Sequence, residues 1–171
     1  MNSTIAADGD DGTRYDEFEA ITIARSGSFA LDLAPDDAFS LFSAYGEKLW
    51  VPGWEPFVLH GDGYEEGTVW VTEGPGRTTY WYVATFAKLR RHAKYVRVTP
   101  GECTGTVDVS VVSARPNAST VNVTYQLTGL SEGGNEHVAT MLAPTAYAEM
   151  MSQWQAAIHG SRARIEAHLR N

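Results

Sequence analysis

One ordering of patterns constrains this chain more than any other. A run of alternating strand segments is followed by a single long amphipathic stretch, and little other chain is left to cover the sheet. Val107, Val109 and Val111 alternate with Asp108 and Ser110, and Val121, Val123, Tyr125 and Leu127 alternate with Asn122, Thr124 and Gln126. A period of two gives each strand one wet face and one dry face, and the dry face needs a partner layer. Beyond Gly133-Gly134, the residues Met141, Leu142, Tyr147, Met150, Met151, Trp154, Ile158, Ile165 and Leu169 return at helical spacing. That pattern predicts a helix of about 25 residues with one apolar stripe. Pro144 marks its start or a kink. The expected architecture is α+β: a curved antiparallel sheet of six to seven strands wrapped around a long C-terminal helix, with a pocket between them.

The first half fits the same plan. Ile21, Ile23, Phe29, Leu31 and Leu33 outline a long first strand, which Ser26-Gly27-Ser28 is expected to bulge or bend. Pro35, Asp36 and Asp37 suit the first turn of a helix whose apolar face is Ala38, Phe39, Leu41 and Phe42. A second short turn runs from Tyr45 to Trp50 and ends at Pro52-Gly53. Val69 and Val71 open the strand-rich section, which turns at Gly74-Pro75-Gly76 into Thr78–Phe86 and continues through Lys94–Val98 to Pro100-Gly101. Residues 1–17 read as a mobile acidic tail and 18–171 as a single domain.

Charge and cysteine content narrow the function. The net charge of −8 disfavours a phosphate backbone as partner, so nucleic acid is not expected. The basic run Lys88-Leu89-Arg90-Arg91-His92 lies between two strands and reads as a solvated hairpin turn. Cys103 is the only cysteine, which excludes an intramolecular disulfide and a multi-thiolate metal site. No segment approaches the ~20 apolar residues of a membrane span, so membrane insertion is not expected. The expected setting is cytoplasmic. The five histidines stand far apart and no glycine pattern matches a phosphate loop, so neither metal nor cofactor is expected.

The candidate site is aromatic. Trp50 and Trp54 flank a rigid Pro52-Gly53 turn and are placed at a pocket mouth, or as core that plugs it. Tyr147, Met150, Met151 and Trp154 form a soft patch on the helix that suits either plain core or an apolar ligand. In Tyr80-Trp81-Tyr82, alternation puts Trp81 on one face and both tyrosines on the other. Trp81 with Val83 is assigned inward, which leaves the tyrosines as an exposed patch and a possible homodimer surface. Tyr95, Arg97 and Tyr125 complete the expected lining, with Arg97 as polar anchor. Weak catalytic candidates are His60 or Glu73 as base, with Arg97 or Tyr95 stabilising an oxyanion. Glu73 is expected to share the inward face of Val71. Exposed strand residues and structural ion pairs explain each of these more simply.

Three segments carry a family resemblance: Gly46-Glu47-Lys48-Leu49-Trp50-Val51-Pro52-Gly53-Trp54-Glu55-Pro56, Tyr95-Val96-Arg97-Val98-Thr99-Pro100-Gly101 and Val123-Thr124-Tyr125-Gln126-Leu127-Thr128-Gly129-Leu130-Ser131. Over about residues 19 to 168 the chain resembles the START-like, or SRPBCC, superfamily, which includes the birch-pollen allergen, lipid-transfer domains and polyketide cyclases. Within it the chain looks most like a bacterial branch. The resemblance implies a helix-grip fold and a cavity between sheet and helix. It implies no catalytic residues, because the superfamily shares a shape and not an active-site motif. Three functions remain open: a carrier of a small hydrophobic molecule, a cyclase or dehydratase using the same cavity, and a co-chaperone-like interaction module.

Overall fold

The computed structural model describes residues 18–170, so the acidic tail expected over residues 1–17 lies outside the described residues. Seven strands form one sheet: β1 (Thr22–Leu31), β2 (Phe57–His60), β3 (Val69–Gly74), β4 (Arg77–Ala87), β5 (His92–Thr99), β6 (Cys103–Arg115) and β7 (Ala118–Gly129). Their spatial order is β1-β7-β6-β5-β4-β3-β2, antiparallel throughout. Register shifts at Val83/Thr85 and Ser113/Arg115 help to curve the sheet. Strand β2, which the sequence pattern did not mark, pairs with β3 through Phe57 and Val58. Its pattern was hidden because Phe57 and Leu59 point their apolar side chains to solvent.

The helical layer departs from the expected single rod. Three helices stand where one was expected: α2 (Glu132–Met141), α3 (Pro144–Gly160) and α4 (Arg162–Leu169). The Ser131 hydroxyl accepts from the Gly134 amide at 3.0 Å and starts α2, which takes in the Gly133-Gly134 pair that the helical pattern was expected to follow. Pro144 opens α3 at its first position, and Ser161 leaves helical geometry and divides α3 from α4. The apolar stripe is continuous in sequence although the backbone is not.

Strand β1 carries no bulge: Thr22 to Leu31 stay in unbroken register with Thr128 to Ser119. Gly27 serves a different need. A Cβ there would lie 2.8 Å from Met151 Cγ and 3.1 Å from Tyr147 Cε1, so the missing side chain is what lets α3 cross the strand. The hydroxyl of Tyr147 then donates to the Val123 carbonyl at 2.9 Å and fixes α3 to β7. Arg25 donates to the Leu142 carbonyl at the end of α2. At the other end of the sheet, α1 (Pro35–Ser40) packs on β6 and β7, and a 3-10 turn over Gly46–Leu49 follows it. Gly46 has no room for a Cβ, which would run into the Ser40 carbonyl oxygen.

Candidate functional site

Pairing fixes which side chains face inward, because residues opposite one another share a face. From β2 to β6 one inward row is Val58, Trp70, Trp81, Arg97 and Gly105. The next row brings Tyr95 to Val107 and Tyr125. The inward assignment of Trp81 and Val83 therefore holds, and so does that of Tyr95, Arg97 and Tyr125. Glu73 is placed on the opposite face. Trp70 points in, so Val71 and Glu73 point out, where the Glu73 carboxylate accepts from Thr78 at 2.9 Å. His60, at the end of β2, is exposed as well. Neither reaches the interior, which removes both as bases acting on an enclosed molecule.

The loop between the 3-10 turn and β2 closes one end with tryptophans. Trp50 is buried, and its indole N–H donates to the Leu41 carbonyl at 2.8 Å. Its ring meets Phe42 at 5.7 Å and Trp154 of α3 at 5.3 Å, both edge-on. Trp54 is half-buried and donates to the Ala44 carbonyl at 2.8 Å. It packs edge-on against Trp81 at 5.7 Å, and Trp81 lies parallel to Trp70 at 6.0 Å. Trp70 in turn meets Tyr95 at 5.7 Å. From the helix side, Trp154 meets Phe42 and Tyr125, and Tyr125 meets Tyr147. Met150 packs partly buried against the same core. The rings thus form two groups, Trp54, Trp81, Trp70 and Tyr95 across loop and sheet, and Phe42, Trp50, Trp154, Tyr125 and Tyr147 across loop, helix and sheet.

The polar atoms in this interior fall into two groups. Some are tied to backbone: the Tyr95 hydroxyl donates to the Phe42 carbonyl at 2.5 Å, as the Tyr147 hydroxyl does to Val123. Burial drives the Tyr95 phenol well above its ordinary range, and pushes that of Tyr147 up to about 12. Both remain neutral donors. Others have no protein partner. The Nε of Arg97 and the indole N–H of Trp70 are sealed from solvent and lack any hydrogen bond among the described residues. Arg97 keeps only a long 3.4 Å contact from Nη2 to the Thr99 hydroxyl, which is already paired with Thr79 at 2.8 Å. Its guanidinium stands 5.3 Å from the centre of the Trp81 ring.

Glu47 is the functional candidate that the sequence did not single out. It sits in the 3-10 turn, and its side chain makes no hydrogen bond or ion pair among the described residues. Its carboxyl lies deep in the protein, and burial raises it from 4.5 to about 8. The residue nevertheless keeps some accessible surface. Its charge also raises the phenols of Tyr95 and Tyr125, which puts all three near one another. Arg97 pulls Tyr125 the other way, so that phenol feels both an acid and a cation. The only sequence signal for Glu47 was its place between Gly46 and the tryptophan loop. No group of His, Cys, Asp and Glu able to hold a metal occurs among the described residues.

This architecture, a curved seven-stranded antiparallel sheet gripping C-terminal helices, is a helix-grip fold. Solved structures share it. Norcoclaurine synthase from Thalictrum flavum, in complex with dopamine and hydroxybenzaldehyde, matches with a TM-score of 0.61 at 13% identity, over 93% of this chain and 98% of that one. The protein XoxI from Bacillus cereus matches with a TM-score of 0.60 at 18% identity, over 78% of this chain and 94% of that one. Ara h 8.0201 matches with a TM-score of 0.55 at 11% identity, over 81% and 99%. No family model and no curated protein sequence matches the chain. No helix among the described residues is long and apolar enough to cross a membrane.

Proposed function

We propose that the protein binds a small hydrophobic or amphipathic molecule, of the lipid, polyketide or other ring-bearing class, between the sheet and the helices. One observation carries this reading. In the middle of an aromatic interior stand polar groups with no protein partner, Arg97 Nε and Trp70 Nε1, beside an acid, Glu47, that is deep yet accessible. Leaving a buried donor unpaired costs about 1–3 kcal/mol, more when it is charged. A core selected for stability alone has no use for them. A site does, because a few fixed polar groups orient a ligand whose affinity comes from apolar burial. Norcoclaurine synthase holds two small aromatic molecules, which fits a ring-bearing occupant here. Native mass spectrometry of freshly purified protein tests the reading. A bound mass that vanishes on denaturation is expected; a clean protein mass that stays unchanged with a panel of hydrophobic probes sinks it.

The outer face favours a second reading, self-association. Phe57, Val71, Tyr80 and Val98 lie side by side across four strands, and Val69, Tyr82 and Val96 form the adjacent row. Phe57 is 67% exposed and the two tyrosines nearly half exposed. Glu73 lies beyond one end of this patch and Lys94 beyond the other, so a two-fold axis between them sets each against its opposite in a second copy. Sedimentation equilibrium should report a dimer that Tyr80→Ser/Tyr82→Ser dissociates. A wild-type monomer at high concentration ends this idea.

A further inference from the structure

We propose, resting on the binding reading above, that the interior selects a flat, conjugated molecule carrying one anionic group, a carboxylate, phenolate or enolate, seated against Arg97. Arg97 enters the interior from β5, between Trp81 on β4 and the side-chain-free Gly105 on β6. No carboxylate pairs with it among the described residues. The nearest acid in sequence, Glu102, is engaged by Arg77 at 3.1 Å and His137 at 3.2 Å. Arg97 is half-buried and its Nε is sealed from solvent without a partner, which is costly for a charged group, and an anion is the partner that returns most of that cost. Its planar fork matches a carboxylate with two parallel hydrogen bonds, which an amide or alcohol does not reproduce.

The number of charges follows from the rest of the interior. Of the other arginines on the inward face of the sheet, Arg25 already serves the Leu142 carbonyl and Arg77 is paired with Glu102. Arg97 is therefore the single uncommitted cation that the sheet presents inward among the described residues, and it neutralises one charge. Glu47 does not oppose an anion at neutral pH, because its carboxyl keeps its proton there. The shape follows from the rings. Trp70 and Trp81 lie 6° from parallel, and Trp54 stands edge-on to Trp81, a set of faces and edges suited to a flat π-system.

Calorimetric titration of the full chain at pH 7 with three matched probes, 2-naphthoate, 2-naphthamide and 2-naphthylmethylammonium, separates the possibilities. The acid is expected to bind about tenfold tighter than the amide, and the ammonium weakest. Arg97→Gln should level acid and amide. Arg97→Lys, which keeps the charge and loses the fork, should retain part of the preference and covers the case in which the glutamine variant does not fold. Equal binding of acid and amide by the wild type, or a preference that survives Arg97→Gln, overturns the proposal and leaves the binding reading intact. Binding of none of the three probes counts against the binding reading itself, and the proposal falls with it.

Discussion

The two faces of strands β3 to β5 are built from the same residue types and have opposite fates. Inside stand Trp70, Trp81, Tyr95 and Arg97; outside stand Val71, Tyr80, Tyr82 and Val98. The inner rings touch one another in a chain, and the hydroxyl of Tyr95 and the indoles of Trp50, Trp54 and Trp81 are hydrogen-bonded. The outer tyrosines make no hydrogen bond or ring contact among the described residues and remain wet. Aromatic content therefore says little about role. What separates the faces is whether a second layer arrives: Trp50, Trp54 and Trp154 arrive on the inside, and no element among the described residues covers the outside.

That contrast breaks most sharply at Trp50. Trp50→Ala removes a buried ring with two aromatic neighbours and should cost about 3–5 kcal/mol in urea unfolding. The matched outer change, Tyr82→Ala, should stay within about 0.5 kcal/mol. Comparable losses at the two sites would erase the distinction between the faces.

The next effect is one of pH. Unfolded, Glu47 ionises in the usual carboxylate range, near 4.5; folded, it keeps its proton up to about 8. Between these values the native state binds the extra proton, so the contribution of Glu47 lowers stability as pH rises through the window. Below the window the penalty is absent. Glu47→Gln should flatten this slope and unfold at higher denaturant than the wild type at pH 8. Unchanged slopes in the variant would place the Glu47 carboxyl in water.

The smallest expected effect is at single hydroxyls. Tyr95→Phe loses the bond to the Phe42 carbonyl and should cost about 1 kcal/mol. Tyr80→Phe, on the outer face, should cost nothing measurable by the same denaturation curves. If both variants match the wild type, the Tyr95 hydroxyl is satisfied by something other than Phe42.

The fold was legible where burial is periodic. Strands β6 and β7 show one wet and one dry face in their sequences, and the inward placement of Tyr125 follows from that alternation alone. Glu73 was misplaced because β3 places a valine on the outer face at each second position and a tryptophan inside between them. Hydrophobicity there does not distinguish in from out, and a one-residue shift inverts every assignment. The long helix was read as one because its apolar stripe continues across breaks at Leu142-Ala143 and Ser161. Those breaks come from capping and proline chemistry, which leave the stripe intact.

The sequence by itself determined the sheet, the covering helices and the aromatic character of the interior. Each depends on residues close together along the chain, whose spacing decides which face is apolar. Only the tertiary structure decided that Arg97 and Trp70 stand unpartnered, that Gly27 is the helix crossing, and that Glu47 reaches the same interior as Tyr125. Those facts depend on neighbours that are remote in sequence. The energy of a polar group is set by what surrounds it in space, and a turn such as Gly46-Glu47 shows nothing of its surroundings until the sheet has closed around it.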